Sequence, residues 1–203
     1  MSDFFDTVLA GQPVMAILRG RSPEHTVAVA ARAWDLGIEL VEVPVQTPDA
    51  LPSLVAAVRA GERRGKLVGA GTVVTVRQLQ QVAAAGARFA IAPGLDLAMV
   101  EAASAAGMPY LPGVATPTEV QTAANAGLRH LKAFPAALLG PGWFRAMSGP
   151  FPGVRFVATG GIDADNAGQY LDAGAVCVGV GSALEDERQL PLLAELITGR
   201  NPT

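Results

Sequence analysis

The chain has one cysteine, two lysines and no apolar run approaching the ~20 residues that a membrane span needs. Each shortage excludes something. A lone thiol, Cys177 in the run VCVGVGS, cannot close an internal disulfide, and its apolar neighbours make it a packing residue. Charged residues are 16% of the chain, the formal net charge is −3, and the arginines are scattered without a basic stripe. Nucleic acid is therefore not the expected partner, and neither is a membrane; a small molecule is. No His/Cys/Asp/Glu spacing suits a metal ion. The first residues, MSDFFDTVLAGQP, lack a basic segment followed by a long apolar one, so the expected location is the cytoplasm.

What is present is apolar residue, half of the 203, enough to bury a substantial core in one domain over residues 1–203. Eight short apolar runs end in glycine, proline or a polar residue: VMAILRG from Val14, LVEVPV from Leu40, LVGAGTV from Leu67, FAIAPG from Phe89, PYLPGV from Pro109, LKAF from Leu131, RFVATGG from Arg155 and VCVGVGS from Val176. Between them lie alanine-rich amphipathic segments such as EHTVAVAARAWDLG, VRQLQQVAAAG, LAMVEAASAAG and TEVQTAANAG, each closing on a glycine suited to a left-handed helix cap. Runs without polar alternation are buried on both faces, as strands of a parallel sheet covered by helices are. Eight such units predict a (β/α)8 TIM barrel, with a doubly wound open sheet as the alternative.

Barrel chemistry sits at the C-terminal strand ends. In order these ends offer Arg19, Glu42, Thr72, Pro93, Pro112 with Gly113, Lys132, Thr159 with Gly160 and Gly161, and Gly181 with Ser182. Thirteen arginines accompany the two lysines, Lys66 and Lys132, and Lys66 falls in the polar turn ERRGK. Lys132 instead interrupts the apolar run RHLKAFPA. A lysine there either snorkels to the barrel mouth or is a partly desolvated amine able to condense with a ketone. Glu42 in LVEVPV poses the same choice, between a structural ion pair with Lys132 or Arg19 and a general acid/base whose pKa burial has raised. The glycine turns after the seventh and eighth strands would expose backbone N–H groups to an anion, the usual phosphate position in barrels, although tight turns alone also explain them.

Taken together, AILRG, VEVPVQTP, GAGTV, IAPG, PGVATPTE, LKAFPA, GPF, ATGGI and GVGSAL resemble the 2-keto-3-deoxy-6-phosphogluconate (KDPG)/4-hydroxy-2-oxoglutarate (KHG) aldolases and their relatives, the 2-keto-3-deoxy-6-phosphogalactonate aldolases, over residues 13 to 190. The resemblance implies a class I aldolase that uses neither metal nor cofactor and assembles as a homotrimer. In it Lys132 forms a Schiff base with the substrate ketone, releasing pyruvate, while Glu42 shuttles protons. By the same match Thr72, Pro93 and Phe134 shape the pyruvate pocket, and Gly160, Gly161, Gly181 and Ser182 hold the phosphate of a keto-acid phosphate substrate.

The two branches are mixed here. Gln46 in VQTP stands where the gluconate branch has an arginine that holds the substrate carboxylate, and Arg19 on the first strand is similar to the galactonate branch. Thr159 in ATGG follows the gluconate branch, since the galactonate enzyme carries valine there. The gluconate epimer is the expected substrate, with KHG possible and the galactonate epimer as the alternative. Two rival classes differ in what they need: a phosphate-binding isomerase or synthase requires no Lys132, and a sugar-acid binding protein requires no Glu42.

Overall fold

The computed structural model describes residues 2–199; Met1 and residues 200–203, also within the domain expected over 1–203, lie outside the described residues. Among the described residues nine parallel strands form one sheet: β1 Val14–Ile17, β2 Leu40–Pro44, β3 Leu67–Gly71, β4 Ala90–Ile91, β5 Tyr110–Leu111, β6 Gly113–Val114, β7 His130–Ala133, β8 Arg155–Thr159 and β9 Ala175–Val180. Their order is β5-β4-β3-β2-β1-β9-β8-β7-β6. Only Pro112 separates β5 from β6, so the chain itself joins the two edges and the sheet is a barrel, not the open alternative. The eight apolar runs are the eight staves. The fifth counts as two strands because proline has no N–H to give the ladder; its carbonyl still accepts from the Lys132 N–H at 2.9 Å.

Among the described residues ten α-helices accompany the staves: α1 Ser2–Val8, α2 Pro23–Asp35, α3 Leu51–Glu62, α4 Val76–Ala84, α5 Leu97–Ala105, α6 Pro117–Asn125, α7 Ala136–Leu139, α8 Pro141–Ser148, α9 Ala164–Asp172 and α10 Leu190–Thr198. The loops that lead from strand to helix end in capping side chains. Ser22 accepts from the His25 N–H, Asp96 from that of Ala98, and Thr75, Thr116 and Asp163 each form a reciprocal capping box. At the other helix ends Gly37, Gly86, Gly107 and Gly127 take positive φ, as their sequence positions predict.

Strand residues alternate between two apolar layers, which is why the runs lack polar alternation. Val14, Ala16, Val41, Val43, Val68, Ala70, Leu131 and Ala133 face the helices. Met15, Leu40, Phe89, Ile91, Leu111, Val157 and Cys177 fill the barrel, and α1 with the turn after it adds Phe5 and Leu9 to them. Phe5 meets Phe89 edge-on, with ring centroids 6.1 Å apart. This plug closes the end where the strands begin. Chemistry is left the opposite end.

Candidate active site

Three polar side chains break the apolar interior near the C-terminal strand ends: Glu42 on β2, fully buried, Lys132 on β7, 3% exposed, and Thr159 on β8, 1% exposed. Alternation turns all three inward. Register places Glu42 beside Ile17 and Gly69, Lys132 between Gly113 and Val157, and Thr159 beside Gly179. Glycine makes the room. A Cβ on Gly71 would overlap the Glu42 carboxylate, and one on Gly179 would sit 2.6 Å from Ile17 and 2.9 Å from Thr159. One on Gly113 would run into the backbone of Pro93 and Gly94.

The electrostatics single out Glu42. Among the described residues neither carboxylate oxygen has a hydrogen-bond partner, nor has the Thr159 hydroxyl. Burial pushes the Glu42 carboxyl above its ordinary 4.5, and the opposing pull of Lys132 and then of Arg19 does not cancel it. No ion pair joins Glu42 to either cation among the described residues, so the structural-pair alternative for this acid is not what the structure contains. The Lys132 amine lies over the Phe134 ring, 5.1 Å from its centroid.

A cavity of about 360 Å³ is lined by Lys132, Phe134 and Thr159, while Glu42 lies outside its lining. Of the residues singled out in the sequence it brings together Arg19, Lys132, Phe134, Thr159, Gly160, Gly161, Gly181 and Ser182. Gly160 and Gly161 both take positive φ, and a Cβ on Gly160 would press on Phe134. Thr72 and Pro93 are half-buried at the ends of the third and fourth staves. Thr72 has φ 58°, a conformation that a β-branched residue adopts at a cost and that is concentrated at functional sites. Gln46 is exposed and lines a separate cleft of about 80 Å³ with Gln78 and Gln81. Arg21 was not anticipated; it lines the same cavity as Lys132 from the loop after β1.

The family model described as "Aldolase: KDPG and KHG aldolase" matches residues 5–192. The chain belongs to the KDPG and KHG aldolase family. It is an aldolase, a carbon–carbon lyase. Among its relatives, a probable 2-dehydro-3-deoxy-6-phosphogalactonate aldolase of Rhizobium meliloti is 38% identical over 174 residues, 85% of this chain and 82% of the relative. The KHG/KDPG aldolase of Escherichia coli is 37% identical over 176 residues, 86% of this chain and 82% of the relative. A solved structure, KDPG aldolase from Legionella pneumophila with pyruvate captured at low pH as a covalent carbinolamine intermediate, is 35% identical with a TM-score of 0.82, covering 96% of this chain and 97% of that one. Relatives of both branches thus stand at nearly equal identity, so identity does not choose the epimer for this aldolase.

Proposed function

We propose that this aldolase cleaves 2-keto-3-deoxy-6-phosphogluconate to pyruvate and glyceraldehyde 3-phosphate through a Schiff base on Lys132. The observation that carries the reading is a buried lysine in the cavity lining and, on a facing stave of the same barrel interior, a buried carboxylate with no hydrogen-bond partner among the described residues. The Lys132 amine adds to the C2 ketone. Glu42, whose raised pKa suits it to carry a proton, protonates the departing hydroxyl so that water leaves and the iminium forms. The iminium draws electrons: loss of the C4 hydroxyl proton breaks the C3–C4 bond, frees the aldehyde and leaves an enamine. Protonation at C3 and hydrolysis release pyruvate and restore the amine.

Arg19 is assigned the substrate carboxylate, since a guanidinium fork matches it and Gln46 stands outside the cavity. Thr72, Pro93 and Phe134 border the pyruvate end. Gly160, Gly161, Gly181 and Ser182 are assigned the phosphate. Thr159 favours the gluconate epimer because its unpartnered hydroxyl is free for the C4 hydroxyl. The galactonate epimer remains the second reading, on the strength of Arg19, and KHG is a further substrate. The same proposal includes a cytoplasmic homotrimer; Leu138, 85% exposed just past Phe134, is a side chain that a second copy would cover. No helix among the described residues is long and apolar enough to cross a membrane.

The test is pyruvate release from both epimers and from KHG. Cleavage of the gluconate epimer ahead of the other, abolished in K132A, is the expected result; equal cleavage by K132A would refute it.

A further inference from the structure

Arg21 occupies the cavity wall without a part in the chemistry above. Its side chain is only 10% exposed. Nε–H donates to Glu185 Oε1 at 2.6 Å, and Nη1 donates to the Arg19 carbonyl at 3.1 Å. Among the described residues no protein acceptor meets Nη2. The loop is fixed from behind as well, where the Ser53 hydroxyl donates to the Arg21 carbonyl at 2.8 Å. The tether identifies which end of the cavity Arg21 serves. Glu185 closes the short 3-10 turn Ser182–Glu185, so the guanidinium is bound to the segment that carries Ser182. His25 Nε2 shares the same carboxylate oxygen at 2.8 Å. The Arg21 hydrogen bond, first among the causes, holds the Glu185 carboxyl below its ordinary range, so the clasp is charged through neutral pH.

The charges are then unequal to the task without Arg21. The proposed substrate has an anion at each end, and the lining offers Arg19, Arg21 and Lys132 with no carboxylate among its residues. Lys132 becomes neutral on forming its bond to carbon or carries the charge of the iminium, and Arg19 is assigned the carboxylate. Glycine amides and one serine hydroxyl would face a phosphate dianion with partial charges only. Hydrogen bonds between ionised partners are roughly twice as strong as neutral ones.

We propose that Arg21 is a specificity-determining residue of this aldolase, donating from Nη2 to the substrate phosphate while Glu185 holds its guanidinium in place. The proposal rests on the phosphate site assigned above. A plain alternative is that Arg21 and Glu185 only tie two loops together, as partly exposed ion pairs do at small energetic effect. The two differ in which partner matters.

The measurement is the ratio of kcat/KM for the better 6-phospho substrate to kcat/KM for unphosphorylated KHG, in wild type, Arg21→Gln and Glu185→Gln, with inorganic phosphate as a competitive inhibitor. Direct contact predicts that Arg21→Gln lowers this ratio about 10- to 150-fold, the loss of one charged hydrogen bond, weakens phosphate inhibition in parallel, and exceeds the effect of Glu185→Gln at least several-fold. An unchanged ratio in Arg21→Gln, or equal falls in the two variants, overturns the assignment. A wild type with no preference for the phosphorylated substrate overturns the phosphate site itself and this inference with it, whereas a preference that survives Arg21→Gln overturns this inference alone.

Discussion

The Glu42 carboxylate and the Lys132 amine share the buried interior of one barrel with no ion pair between them, and among the described residues nothing donates a hydrogen bond to either oxygen of Glu42. Such an acid costs stability when charged, because desolvation outweighs the attraction of Lys132 and Arg19. Its folded pKa lies above its unfolded one, so the folded state holds the extra proton and stability falls as pH rises beyond the ordinary 4.5. Glu42→Gln is expected to be at least as stable as wild type at neutral pH, with the advantage vanishing as pH drops below about 4.5. Thermal unfolding of both proteins across pH 4 to 8 checks this. The same variant should lose the ~10²–10⁴-fold that a positioned acid/base supplies, together with the acid limb of the pH–rate profile.

Gly71 sets the position of that carboxylate, since any side chain there would occupy the same space. Gly71→Ala should therefore cost about 1–3 kcal/mol through overpacking and lower turnover by displacing Glu42. Chemical denaturation and kcat read the two effects separately, and normal values of both would mean that the carboxylate has room to move.

The Thr159 hydroxyl, like both oxygens of Glu42, is buried without a hydrogen-bond partner among the described residues. Valine, its near isostere, removes a buried hydroxyl that pairs with nothing, so Thr159→Val should not lower the melting temperature. On substrate it should matter. Loss of a contact to the C4 hydroxyl is worth roughly 1–3 kcal/mol, or about 5- to 150-fold in kcat/KM, and the ratio of the two epimers should move toward galactonate. An unchanged ratio would place the epimer choice on another residue.

Ser182 lies at the phosphate end. Ser182→Asp adds like charge only where the phosphate is assigned, so KM should rise far more for a 6-phospho substrate than for KHG. Equal losses on both substrates would remove the phosphate from this turn.

Much of this architecture was legible in the chain because the two periodicities are strong. Eight runs without alternation gave eight staves, and glycines 37, 86, 107 and 127 marked helix ends. The inward polar positions were legible for the same reason: in an apolar run, a lysine or glutamate at the C-terminal end has few places to go. The division at Pro112 follows from that proline's missing N–H, but the pairing of its two halves, β5 with β4 and β6 with β7, is set by the closed barrel and not by local pattern. Arg21 was missed because its orientation is set by Glu185, 164 residues away. Gln46 holds the motif position of the gluconate branch's carboxylate-binding arginine, whereas in the structure it is exposed and lines its own cleft after β2.

Lys132 is where the chemistry is decided, and trapping its adduct tests it most directly. Pyruvate with borohydride should inactivate the enzyme and leave one reduced adduct, located by peptide mass spectrometry on Lys132 and absent in Lys132→Ala. Lys66 is the internal control, since it is held by Glu39 at 2.7 Å far from the cavity lining. An adduct on Lys66 alone, or none with activity retained, would contradict the Schiff base on Lys132.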